Sequence, residues 1–242
     1  NYLYNYYLRG TDQEYPDWGS ALFTWRSNPL LSENDVKEAR RAVSRALFAQ
    51  EYECEWTTTE AQIYEALDEA KHIGEYVGER FSEVIAGLDV GYRDDNVFVV
   101  IGFDGKSYYI IDEYVSREST TSELADIVKE KLDFWNIDTI YIDSAAQQTK
   151  ADFAYDYDIY CENAIKSVND GISSLQALIE QDRMLFDTEG GMHCFSAMSS
   201  YKWNPNTETP KPVHDWCSHP CDAIRYAIYS HQKMSAISVY AN

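Results

Sequence analysis

The sequence lacks any uninterrupted apolar run near the roughly 20 residues that a membrane-spanning helix needs, so a soluble chain is expected. It is also short of positive charge: 20 Lys and Arg stand against 41 Asp and Glu, a formal net charge of −21. Taken alone, that balance argues against a nucleic-acid binder, which ordinarily presents a basic face. No internal repeat and no low-complexity segment is found. The first residues, "NYLYNYYLRG", have neither an initiator Met nor the basic-then-apolar pattern of a secretory signal, and read as the start of a fragment of something longer. Five cysteines, an odd number scattered over 242 residues, fit no disulfide framework and point to a reducing, cytosolic setting.

What is present supports a sizeable core. Apolar residues make up 45% and aromatic residues 14% of the chain, enough for one large domain or one domain with an appendage. The excess of carboxylates suits a protein that gathers hard cations such as Mg2+, Mn2+ or Ca2+, although a solvated acidic surface accounts for most of it.

Residues 1–80 read as a helical and irregular connector. The stretch "SENDVKEARRAVSRALFAQEYECEW" opens with Ser32 as an N-cap and acids in the first turn, and Gly74 and Gly78 break the pattern near residues 72–82. Residues 81–242 form the second unit. There "EVIAGLDV", "VFVVIGF" and "SYYIIDEYV" read as strands, the last two joined by the hairpin turn "FDGK". A helix capped by Ser122, the strand "TIYID", a helical "SAAQQTKADFAYD" and a short strand in "IYCENA" follow. Then come a helix "GISSLQALIEQ" capped by Asp170, the strand "MLFD", a loop over residues 203–213, and a closing helix starting near Pro220. This order predicts a mixed α/β sheet flanked by helices.

Asp89 and Asp143 are each the lone carboxylate in, or at the end of, an apolar strand. An unpaired buried carboxylate costs several kcal/mol or is forced neutral, so a partner is expected beside Asp89. Ligands bind at the carboxyl ends of parallel strands, and two carboxylates facing one volume repel unless a cation neutralises them. Asp222, in the first turn of the closing helix with Arg225 at i+3, supplies a third. Plainer roles compete: a helix cap for Asp143, a helix-dipole carboxylate for Asp222, and a solvated turn acid for Asp95, which is otherwise an extra ligand. Three such carboxylates suit two divalent ions about 3.5–4 Å apart that clamp the attacking and leaving oxygens of a phosphoryl displacement. A rival set, His214, Cys217, His219 and Cys221 in "HDWCSHPC", has zinc-ligand chemistry, against the commoner fate of cysteine as a small buried hydrophobe.

In order, "GLDVGYRDD", "YIDSAAQ", "GISSLQALIEQDRMLF", "SSYKWNP" and "HDWCSHPCDAIRYA" resemble the nuclease domain of the large terminase subunit of tailed bacteriophages. "FTWRSNPLLS" and "LFAQEYECEW" resemble the segment that joins its ATPase motor to the nuclease. The resemblance implies a ribonuclease H-like fold and a metal-dependent endonuclease that cuts double-stranded concatemeric viral DNA at the start and end of genome packaging. It places the three acids at Asp89, Asp143 and Asp222, a further one at Asp95, and a histidine before the last helix at His214, near the metals or the scissile phosphate. It implies two Mg2+ or Mn2+ ions, the portal protein and small terminase subunit as partners, and a place at the procapsid portal in the host cytoplasm, with no membrane.

Two features depart from the family. The phosphate loop G-x-x-x-x-G-K-[ST] is absent, so this chain lacks the motor's ATP site, and Cys217 and Cys221 stand where small residues are usual. Because phosphate contacts come mainly from Lys and Arg, weak DNA binding is expected, through a local basic rim of Lys150, Lys166, Lys202, Lys211 and Arg225. Another ribonuclease H-like phosphodiesterase of resolvase or transposase type, and a non-catalytic docking module of a packaging motor, remain the alternatives.

Overall fold

The computed structural model describes residues 2–55, 62–91, 95–205, 207 and 209–240. The strands are β1 (Ile73–Gly74), β2 (Glu83–Asp89), β3 (Asn96–Phe103), β4 (Tyr108–Ser116), β5 (Thr139–Ile142), β6 (Cys161–Asn163) and β7 (Met184–Asp187). They form one seven-stranded mixed sheet in the order β1-β7-β4-β3-β2-β5-β6. β2, β3 and β4 are antiparallel neighbours, as the two hairpins predicted, and β5 lies parallel to β2 on its other side. The mixed α/β sheet flanked by helices that the element order predicts is the sheet observed.

Helices cover both faces, as the apolar strands require. α1 (Tyr2–Arg9), α2 (Glu33–Ala42), α3 (Arg45–Glu53) and α4 (Glu69–His72) precede the main sheet; α5 (Thr121–Trp135), α6 (Gln147–Tyr157), α7 (Val168–Glu180), α8 (Met192–Ser200) and α9 (Ser218–Tyr240) are interleaved with it or follow it. Alternation along β2 sorts the core. Ala86 and Leu88 face a cluster with Leu124, Ala125 and Val128 of α5 and Phe153 of α6. Ile85 faces the opposite cluster, with Ala223, Ile224, Ala227 and Ile228 of α9. Among the described residues no helix is long and apolar enough to cross a membrane.

Several boundaries differ from the sequence reading. α5 is capped by Thr120, whose side chain accepts from Glu123 N while Glu123 caps in return; Ser122 lies inside the helix. Ser167 precedes α7, and Asp170 sits in its first turn, accepting from the Ser167 hydroxyl at 2.5 Å. The stretch after Ser32 is two helices, because Ser44 starts α3 by accepting from Leu47 N and donates its own N–H to Ser173 Oγ at 3.2 Å. α9 begins at Ser218, two residues before Pro220, whose missing N–H falls in the first turn where no intrahelical partner exists anyway. β1 pairs with β7 at the sheet edge, from within the stretch read as connector. α8 has no counterpart in the sequence reading.

One glycine sets how α9 meets the sheet. A Cβ at Gly87 would fall 1.9 Å from the Ala223 carbonyl oxygen, so the helix backbone lies directly on β2 only because the side chain is absent. α9 runs antiparallel to β2: Ala223 crosses Gly87 near the carboxyl end, and His231 reaches Glu83 (Nε2 to Oε2, 3.3 Å) at the other.

Candidate metal centre

The pairing of β2 with β5 runs through Leu88↔Ile142, so the next residues on the two strands are Asp89 and Asp143. Adjacent strands lie about 4.8 Å apart. Both carboxylates alternate with residues of the α9 side, Asp89 with Ile85 and Asp143 with Tyr141, and therefore emerge on that face. α9 brings Asp222 over them, because its first turns are held down at Gly87.

Each carboxylate is engaged by a base of the protein. Asp89, 8% exposed, has Oδ2 2.7 Å from Nδ1 of His219. Asp143 Oδ1 receives Ala145 N–H at 2.8 Å and lies 2.6 Å from Lys166 Nζ. Asp222 Oδ1 accepts from Arg225 Nη2 at 2.8 Å. Tyr226, one turn beyond Asp222 and 3% exposed, donates its hydroxyl to Asp143 Oδ2 at 3.3 Å.

The fields agree with this convergence. Burial raises the Asp89 carboxyl above its ordinary value; the His219 hydrogen bond opposes this, and the charges of Asp222 and Asp143 push it further up. Burial also works to raise Asp143, but the Ala145 N–H and Lys166 outweigh it and hold that carboxyl low. The Tyr226 hydroxyl is pushed far up, first by burial and then by the charges of Asp222, Asp89 and Asp143. Asp89 and Tyr226 thus each lie within reach of the charges of Asp222 and Asp143.

This chemistry fits a hard divalent cation. The donors are carboxylate oxygens, and a cation would relieve the crowding of like charge that raises Asp89. Among the described residues no three His, Cys, Asp or Glu side chains already stand at metal-ligand spacing: the aspartates are turned onto Lys166, His219 and Arg225. The same finding counts against the zinc set. Cys217 and Cys221 are each 1% exposed, and burial pushes both thiols up, Cys217 to about 12, which disfavours the thiolate that zinc needs.

The other residues singled out from the sequence fall in different places. His214 is exposed and packs edge-on against His219, centroids 5.6 Å apart; it is His219, not His214, that meets a carboxylate. His219 precedes Asp222 by three residues, a helical spacing that marks it in the sequence. Asp95 lies two residues before Val97, the cross-strand partner of Asp89, and forms an ion pair with Arg117 at 2.7 Å. Lys150 Nζ donates to Asn163 Oδ1 at 2.9 Å, while Lys202 and Lys211 are exposed. Arg225 departs from the expected exposed rim: it is 2% exposed and its guanidinium is turned onto Asp222.

Residues 86–230 match the family described as "Terminase RNaseH-like domain". The large terminase subunit of Escherichia phage T5 is 37% identical over 247 residues, covering 95% of this chain and 56% of that protein. This chain thus spans about half the length of that relative. The large terminase of a thermophilic bacteriophage superposes with a TM-score of 0.77 at 19% identity, over 91% of this chain and 56% of that one. The P22 large terminase nuclease domain gives 0.60 at 18%, over 73% and 95%. The nuclease domain of the bacteriophage SPP1 large terminase, solved with bound Mn, gives 0.54 at 23%, over 69% and 97%.

Proposed function

Because this chain belongs to the terminase RNaseH-like domain family, we propose that it is the metal-dependent endonuclease part of a large terminase, cutting double-stranded concatemeric DNA during viral genome packaging. What supports the reading most is Asp89 and Asp143 following the paired residues Leu88 and Ile142 on adjacent strands, with the charge of Asp222 reaching Asp89. Asp89, Asp143 and Asp222 are the ligands of two Mg2+ or Mn2+ ions, and Asp95 is a further acid at the rim. When bound, the ions supply the positive charge that neutralises the scissile phosphate and acidifies water beside it.

The protein's own groups prepare that chemistry. His219 fixes the orientation of the Asp89 carboxylate, with His214 packed behind it. Lys166, whose side chain is 45% exposed, presents a positive charge at the mouth of the site, where a DNA phosphate approaches. Lys150, Lys202 and Lys211 extend this basic rim outward. Residues 1–80 serve as the connector from the motor, and residues 81–242 as the nuclease. In this reading the chain acts on DNA in the host cytoplasm at the procapsid portal, beside the portal protein and the small terminase subunit.

The test is cleavage of plasmid DNA with Mg2+ or Mn2+ by the parent chain and by Asp89→Ala. The parent should cut and the variant should not, with the far-UV spectrum and thermal melting showing that the variant is folded. A folded Asp89→Ala protein that cuts at the parent rate would end the assignment.

A further inference from the structure

Arg225, 2% exposed, is a buried cation beside Asp222, and its contacts form a pattern. Nη2 donates to Asp222 Oδ1 at 2.8 Å, while Nη1 reaches the carbonyl oxygens of Lys166 and Ser167, each at 3.4 Å. The guanidinium lies 4.9 Å from the centre of the Tyr226 ring. Lys166, gripped by its carbonyl, carries the ammonium that sits on Asp143 Oδ1, and Tyr226, under the guanidinium, holds Asp143 Oδ2. One side chain therefore touches the third carboxylate directly and two of the three groups that hold the second, the other being the Ala145 N–H.

Packing shows that space is kept for it. A Cβ at Gly171, in α7, would lie 2.7 Å from Cγ and Cδ of Arg225. α7 carries a glycine in its interior, where alanine would favour the helix, and the room is occupied by the stem of Arg225. A buried ion pair is weak support for stability, because desolvating both charges offsets their attraction. The arrangement is better suited to orientation: a guanidinium has five donors in a rigid fork, so one group can hold a carboxylate and two carbonyls at fixed angles.

We propose that Arg225 is a positioning residue that locks Asp222 to Asp143 through the 166–167 loop and Tyr226, setting the spacing of the carboxylates toward divalent cations, with Gly171 as the vacancy that admits it. This rests on the metal-nuclease reading above. Losing a partner that orients a metal ligand typically weakens metal affinity roughly 10–100-fold.

The experiment is a Mn2+ titration followed by electron paramagnetic resonance on the parent chain, Arg225→Lys, Gly171→Ala and Asp89→Asn, with melting curves and steady-state cleavage on the same samples. Arg225→Lys keeps the charge but loses the fork; Mn2+ affinity should fall by about tenfold or more, with kcat reduced and KM for DNA little changed. Gly171→Ala should lower Mn2+ affinity in the same direction, and it decides the matter if Arg225→Lys does not fold. If Asp89→Asn loses Mn2+ while a folded Arg225→Lys or Gly171→Ala binds it as the parent does, the positioning role is refuted and the nuclease reading stands. If Asp89→Asn binds Mn2+ as the parent does, the reading and this inference fall together.

Discussion

Asp89 and Asp187 are both buried, at 8% and 2% exposure, yet titrate in opposite directions. Burial pushes each carboxyl upward. At Asp187 four backbone N–H groups, from Tyr76, Glu189, Gly190 and Val77, outweigh burial and hold the carboxyl below its ordinary value. At Asp89 a single histidine opposes burial and two neighbouring acids, and the carboxyl stays raised. The linkage signs follow. Asp187, depressed in the fold, contributes stability that is present above the unfolded value of about 3.9 and is lost as pH falls through its lower native value. Asp89, raised in the fold, costs stability that appears as pH rises from about 3.9 through its higher native value, and persists at neutrality. In chelator at pH 7, Asp187→Asn should therefore melt below the parent by about 1–3 kcal/mol of stability, and Asp89→Asn above it. Both differences should shrink near pH 3, and thermal melts across the pH range give the answer. An Asp89→Asn protein that melts below the parent at pH 7 would show that the His219 bond outweighs the crowding.

At the scale of elements, the site depends on how α9 docks on β2. Gly87→Ala places a methyl 1.9 Å from a backbone oxygen, a clash that no rotamer relieves. Overpacking of this kind costs about 1–3 kcal/mol, and the shift of α9 should carry Asp222 with it. Urea unfolding should show the loss of stability, and cleavage should fall by more than that loss explains. The strands were legible because their apolar runs are long and bounded by turn residues, as in "VFVVIGF" followed by "DGK". Asp89 and Asp143 stand out as lone acids in such runs; Asp222 is expected in the first turn of the closing helix, but α9 starts at Ser218 and Asp222 is its fifth residue. What escaped depended on partners distant in sequence. α8 is started by the Glu113 carboxylate, which accepts from His193 and Cys194 N–H at 2.7 Å across some 80 residues. The break between α2 and α3 is fixed by Ser173. The inward turn of Arg225 depends on Gly171 in another helix. The Thr120 cap is different: the T-x-x-E spacing from Thr120 to Glu123 is local and is a capping-box signature in the sequence itself.

For the whole molecule, the charge of −21 repels DNA at long range, and contact depends on a few local cations. Lys166, Lys202 and Lys211 are exposed, while Arg225 is withdrawn. Cleavage by this chain should fall steeply with added salt, because each phosphate contact contributes a slope of about −0.9 in log affinity against log salt. Lys202→Ala and Lys211→Ala should each flatten that slope by about one unit. Salt-insensitive cleavage, or variants with the parent slope, would show that the DNA is gripped elsewhere.

The register of β2 against β5 has a mechanical consequence. The backbone as far as Leu88 and Ile142 is fixed by the pairing of the two strands, so the roots of Asp89 and Asp143 hold station unless neighbouring strands unzip. Asp222 rides on a helix seated over a bare glycine, and in the proposed reading a slide or tilt of that rod would have to overcome the Arg225 lock before the three acids part. In the proposed reading, whatever throttles cleavage would act through that rod.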